Sequence, residues 1–196
     1  DERNLAVKAA RAFREAFGCQ DGIDIALVKR IPSEAGMAGG SADAAAVLRA
    51  LRALVFPSLS DEALEAVGAR VGSDVPFCIR GGTQLAGGRG ERLTVLSPAP
   101  RLYAAVCKPG FPISTPALFA RVDGVTLTGR PDTDTMLASI AAGNADALCA
   151  NVRNVFEQAL DDAQRTRIEE IKRDLLAHAV GDLVIGPAHD EVGLHA

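Results

Sequence analysis

The feature that most constrains this chain is a change of hydrophobic period across a single turn. In IDIALVKRI (23–31), Ile23, Ile25 and Leu27 alternate with Asp24, Ala26 and Val28, the two-residue repeat of a strand, and Pro32 ends it. Beyond the turn, Val47, Leu48, Leu51, Leu54 and Val55 recur at helical spacing. Between them lies EAGMAGGSADA (34–44), with three glycines and Ser41. Glycines let a backbone approach a ligand closely, and the first amides of a helix, with its dipole, favour negative charge. Ser41 adds a hydroxyl for a phosphate or its magnesium ion. The spacing is neither GxxxxGK[ST] nor GxGxxG, so on these residues alone the turn is either a tight connection or an anion site.

Composition narrows the partners. Hydrophobic residues make up 48% of the 196, which supports a real core, while aromatics are 4% with no Trp. The net charge is −4 and no block of Lys or Arg occurs, which speaks against nucleic acid or an anionic membrane as main partner. Cys19, Cys78, Cys107 and Cys149 lie far apart in apolar runs without CxxC spacing, so buried free thiols are expected rather than disulfides or zinc. No run approaches the ~18 apolar residues of a membrane span, and the charged start DERN is unlike a signal peptide. A cytoplasmic protein is expected.

Along the chain, LAVKAARAFREAF reads as an amphipathic helix stopped by Gly18. Ser60, with Asp61 and Glu62 behind it, caps a second helix that places Leu64, Val67 and Val71 inward and stops at Gly72. SDVPFCI is expected to leave that helix as a short loop and strand. RGGTQLAGGRGERLTVL reads as strands joined by glycine turns. SPAPR (97–101) is the linker candidate, dividing domains at 1–98 and 99–196, and LYAAVC should open the second domain as a buried strand. STPALFARV has a helix start with a first-turn proline, and three helical stretches follow.

Two further stretches bear chemistry. In GSDVP, Asp74 is either a capping or Asx-turn aspartate or a carboxylate that orients and deprotonates a hydroxyl in phosphoryl transfer. In GGTQLAGGRGE, the plain reading is a hairpin with Arg89 solvated. His178, His189 and His195 lie near the end without HxxxH spacing or a matching Cys, which argues against a metal.

Taken in order, KRIPSEAGMAGGSADAAAVL, GSDVPFCIRGGTQLAGGRGE and KPGFPISTPALF resemble the GHMP kinase superfamily, from about Asn4 to Leu176. Within it they look most like the branch that acts on a cytidine diphosphate-linked methylerythritol in non-mevalonate isoprenoid synthesis. The resemblance implies an α+β GHMP kinase fold. Its parts would be an ATP-binding N-terminal domain of ribosomal-protein-S5 type, present in part, and a ferredoxin-like C-terminal domain. It implies ATP and Mg2+ as cofactors, transfer of a phosphoryl group to the 2-hydroxyl of that small molecule, no nucleic acid or membrane partner, and a monomer or homodimer. Gly36, Ala38, Gly39, Gly40 and Ser41 would form the triphosphate loop, with Ser41 also at the metal and Lys29 beside the nucleotide. Asp74 would be catalytic. Arg89 and Phe119 would hold the cytidine diphosphate end, Phe119 by stacking.

Two departures accompany these matches. The family's opening strands and a lysine within them have no counterpart here, and the expected late GSGP-type loop near Gly186 reads VIGPAHDEVGLHA. The alternative reading is therefore a module derived from such a kinase that binds nucleotide or a partner without turnover. Kinases for homoserine, mevalonate or galactose fit less well, because GSDVPF and GGRGE occur together.

Overall fold

Helix α1, Leu5–Phe17, opens the structure. Asn4 caps it, its Oδ1 accepting from the Ala6 amide at 2.9 Å, and Gly18 ends it in the left-handed region at φ 67°. The computed structural model describes residues 3–31, 36–88, 90–111 and 115–178. The chain divides into two compact units at the break between Leu96 and Ser97.

In the first unit, α1 packs on α2 (Gly39–Val55) and α3 (Asp61–Val71), and both of these pack on the short α4 (Val75–Arg80). Helix α2 buries Ser41, Ala44, Ala45, Leu48 and Leu51, a stripe at the three-and-four spacing whose small residues let its neighbours approach. Phe13, Leu48, Leu64 and Val75 are fully buried at the centre, and Phe13 meets Phe17 edge-on with ring centroids 4.9 Å apart. Ser60 caps α3 as expected, accepting from the Ala63 amide at 3.2 Å. Strands β1 (Gln84–Gly87) and β2 (Arg92–Val95) form an antiparallel hairpin that pairs Gln84 with Val95 and Gly87 with Arg92. Gly88 and Gly90, at φ 73° and 103°, supply the turn that side-chain-bearing residues resist.

Three local expectations are corrected. Residues 75–80 are a helix, not a strand: Pro76 sits in the first turn, where its missing amide costs nothing. Residues 23–31 are not a strand, and Ile25, Leu27 and Val28 are exposed. Alternation names a face, but a strand exists only with a hydrogen-bonded neighbour, and β1 with β2 is the one sheet among the described residues. LYAAVC fails for the same reason; Tyr103 and Val106 stand in solvent. All four cysteines are free, but only Cys19 is buried, Cys78 and Cys149 are half-buried, and Cys107 is exposed because its segment joins no sheet.

From Ser97 onward the described residues are helical or irregular. The helices are α5 (Thr115–Val122), α6 (Thr133–Ala141), α7 (Ala145–Asn151) and α8 (Asp162–His178), with a 3-10 turn at Val155–Ala159 between α7 and α8. Asp132, Asn144 and Asn154 each cap the element that follows them. Leu118, Phe156, Ala159, Leu160 and Ile168 form this unit's core. The class is α+β, mainly helical with a small sheet.

Candidate active site

The start of α2 is built unlike the other helix starts of the first unit. Ala38 occupies the position before it in the left-handed region, at φ 47°, alone among the described non-glycine residues. Such a conformation costs a non-glycine residue roughly 1–3 kcal/mol and persists only where its surroundings impose it. Ala38 has no side-chain oxygen to cap the helix, and the described residues show no side-chain cap hydrogen bond there. The amides of Gly39, Gly40 and Ser41 precede the first intrahelical bond, from Ala42 to the Ala38 carbonyl at 2.8 Å. Uncapped amides and the positive end of a seventeen-residue helix make a turn that favours an anion.

The glycines of this turn also serve packing. A Cβ on Gly39 would lie 2.8 Å from Ile31 Cγ2, and one on Gly40 would lie 3.2 Å from Leu5 Cδ1. Their bareness lets residues 29–31 lie against the first turn of α2, and that brings a cation there: Lys29 Nζ pairs with Asp43, one turn into the helix. Both side chains are partly exposed, so the pair is worth at most about 1 kcal/mol and exchanges readily for another anion. Ser41, 8% exposed, sits in this same turn.

Asp74 stands before the first residue of α4 at φ −87°, ψ −8°, and its side chain makes no cap hydrogen bond. It thus occupies the cap position of α4 without a side-chain cap bond to that helix. Val75 and Ile79 anchor the helix behind it against Gly68 of α3, where an added Cβ would come within 3.0 Å of Val75 Cγ1 and 2.7 Å of Ile79 Cδ1. Arg49 of α2 donates to the Cys78 and Ile79 carbonyls at 3.3 and 3.4 Å, linking α2 to α4. Burial, with the charge of Asp74 adding to it, pushes the Cys78 thiol up to about 11, so it stays protonated and is no nucleophile near neutrality.

At the other end of α4, Arg80 Nε donates to Glu65 at 2.5 Å and Nη2 to Glu62 at 3.1 Å. A hydrogen bond from its own backbone, then those from Arg80 and Ser60, hold the Glu62 carboxyl below its ordinary value. Gln84 closes the turn behind, donating to the Gly81 carbonyl at 2.9 Å.

The structure thus brings Lys29 to the loop of Gly36, Ala38, Gly39, Gly40 and Ser41, and packs the helix behind Asp74 on the helix behind Ser41. Phe119 belongs to the second unit, where its ring meets Phe156 edge-on at 4.9 Å and remains 57% exposed, leaving ring surface open for stacking. Arg89, Gly186, His189 and His195 lie outside the described residues, as does the side chain of His178. Among the described residues no three His, Cys, Asp or Glu side chains gather as a metal site, and no helix is long and apolar enough to cross a membrane. Sequence reading missed Asp43, Arg49 and Arg80. Asp43 had a signal, a carboxylate one turn past Gly39; the other two gave none.

Comparison with known proteins identifies the family. The GHMP kinases N terminal domain family matches residues 4–82. A 4-diphosphocytidyl-2-C-methyl-D-erythritol kinase of Clostridium tetani is 42% identical over 178 residues, which are 91% of this chain and 63% of the relative. One from Caldicellulosiruptor saccharolyticus is 38% identical over 198 residues, 100% of this chain and 68% of its own. The crystal structure of a 4-(cytidine 5'-diphospho)-2C-methyl-D-erythritol kinase aligns with a TM-score of 0.71 at 34% identity, covering 89% of this chain and 62% of that one. The chain thus spans somewhat less than two thirds of the Clostridium relative and of the solved structure.

Proposed function

This chain belongs to the GHMP kinases, in the 4-diphosphocytidyl-2-C-methyl-D-erythritol kinase family, and on that premise we propose that it carries most of a small-molecule kinase site. The reaction is ATP-dependent phosphorylation of the 2-hydroxyl of 4-diphosphocytidyl-2-C-methyl-D-erythritol, a step of non-mevalonate isoprenoid synthesis. The observation that carries the reading is the uncapped, cation-flanked first turn of α2.

The residues divide the work simply. The amides of Gly39, Gly40 and Ser41, opened by the turns at Gly36 and Ala38, receive the triphosphate. Lys29 leaves Asp43 for a phosphate oxygen, an exchange that costs little because the pair is weak. The cofactor would be Mg·ATP, whose Mg2+ would supply charge neutralisation at the phosphates, with Ser41 Oγ the ligand this chain would offer it. Asp74 accepts the proton of the substrate 2-hydroxyl while that oxygen forms a bond to the γ-phosphorus and the bond to the β-phosphate oxygen breaks. The products are the 2-phosphate and ADP. Asp74 stands immediately before the first residue of α4, and its side chain makes no cap hydrogen bond to that helix.

Phe119 stacks on the cytosine and Arg89 pairs with the diphosphate of the substrate. The protein works in the cytoplasm, in keeping with its free thiols, as a monomer or homodimer. A module that binds without turnover is less favoured, since the relatives compared are named as kinases. The test is 31P NMR of the protein with Mg·ATP and the cytidylyl substrate. A new phosphomonoester signal accompanied by ADP supports the reading; binding of both ligands without that signal contradicts it.

A further inference from the structure

We propose that Arg80 is a positioning residue for Asp74, acting through α4; the inference rests on the catalytic reading of Asp74 given above. Helix α4 has six residues, too few to hold its own shape in water, so its placement comes from what grips it. Packing supplies one grip, Val75 and Ile79 against Gly68, and the long bonds from the exposed Arg49 supply another.

The third grip fixes direction. Glu62 and Glu65 lie three residues apart on one face of α3, and the Arg80 guanidinium bridges them with two different nitrogens. A planar fork held at two points cannot swivel as a single contact can. The Glu65 side chain is 17% exposed and that of Arg80 27%, so this pair is shielded from the water that weakens ordinary surface ion pairs. Arg80 also ends α4, where a cation complements the helix dipole.

The lever is short. Six residues span about 9 Å, so a tilt of roughly 10° about the Arg80 end moves Asp74 by ~1.5 Å. A misplacement of about 1 Å is enough to cost up to a hundredfold in rate when a group must meet a proton in line. Packing at Gly68 sets how far α4 lies from α3. The Arg80 fork sets where its first residue points.

The test compares Arg80→Met, Arg80→Lys and Glu65→Gln in ADP release, Mg·ATP binding and amide exchange. Arg80→Met is expected to lower kcat tenfold or more while Mg·ATP affinity stays within about twofold, and to speed exchange at 75–80 without changing it at 39–45. Arg80→Lys should recover part of kcat, because an ammonium reaches one carboxylate but not both in the fork geometry. Glu65→Gln keeps the shape of the acceptor and reads the same split if Arg80→Met folds poorly. An Arg80→Met enzyme with wild-type kcat would overturn the proposal. So would a loss shared equally by kcat, nucleotide affinity and exchange throughout the first unit. If the unmodified protein released no ADP, the phosphotransfer reading would fail. Exchange at 75–80 would then still decide whether Arg80 fixes α4.

Discussion

Gly39 is the position where packing and ligand binding are most easily confused, and Gly39→Ala separates them. The added Cβ would lie 2.8 Å from Ile31 Cγ2 and 3.0 Å from Ile31 Cβ. Ile31 is branched at that carbon, so no rotation of its side chain clears the clash, and the backbone of 29–31 must shift. Overpacking of this kind costs about 1–3 kcal/mol, and in a chain of this size each kcal/mol lowers Tm by about 2–4 °C. The shift also carries Lys29 away from α2; loss of one charge-assisted phosphate contact, roughly 1.5 kcal/mol, weakens Mg·ATP about tenfold. Trimming the obstacle in Gly39→Ala/Ile31→Ala removes the 2.8 Å contact and leaves the 3.0 Å approach to Cβ, so both quantities should return most of the way to the level of Ile31→Ala alone, with a coupling of about 1 kcal/mol in the stability cycle. Thermal melts and calorimetric titration of the three variants measure this. A double variant that regains stability but stays tenfold weak for Mg·ATP would refute the reasoning, because the methyl itself would then be intruding on the nucleotide.

Other expectations follow from single contacts. Lys29→Met should change stability by less than about 1 kcal/mol, since its pair with Asp43 is partly exposed, yet weaken Mg·ATP about tenfold by calorimetry; unchanged affinity would remove Lys29 from the phosphate site. Cys107 is exposed and Cys78 is held as a thiol up to about pH 11 from an ordinary 9.0, so at pH 8 a maleimide should label Cys107 well before Cys78, as read by mass spectrometry. The stability that the half-buried neutral Cys78 contributes is present below pH 9.0 and is lost as pH rises toward 11, which a denaturant series across that window would detect. Phe119→Ala should raise KM for the cytidylyl substrate about tenfold, the worth of one stacked base, and leave KM for ATP unchanged.

What could be read from the sequence divides along the line between local and distant causes. Helices α1 and α3 were legible because their signals are adjacent: Ser60 before Asp61, Gly18 after Phe17. The helix after the glycine turn was legible for the same reason, although it begins at Gly39 and so takes the last glycines into its own first turn. SDVPFCI was misread because the six residues of α4 are too few to show a period, and an apolar run with branched side chains suits strand and helix alike. Residues 23–31 and 102–107 carry strand patterns without the neighbour that would make them strands. In the site, Lys29 and Ser41 came from one contiguous motif, whereas Arg80 meets its partners fifteen and eighteen positions away, across α3. No local pattern marks such a contact. Asp74 was visible as a candidate from GSDVP, but its place ahead of a helix rather than a strand was not.

The central claim is that Asp74 takes the proton of the accepting hydroxyl while the first turn of α2 holds Mg·ATP. It is tested most directly by ADP release from Asp74→Asn, a change of one atom at a side chain that makes no cap bond. The account predicts release at background, a loss of a hundredfold or more as expected for a general base, with Mg·ATP affinity within about twofold of the unmodified protein. Turnover by Asp74→Asn at the unmodified rate would contradict it.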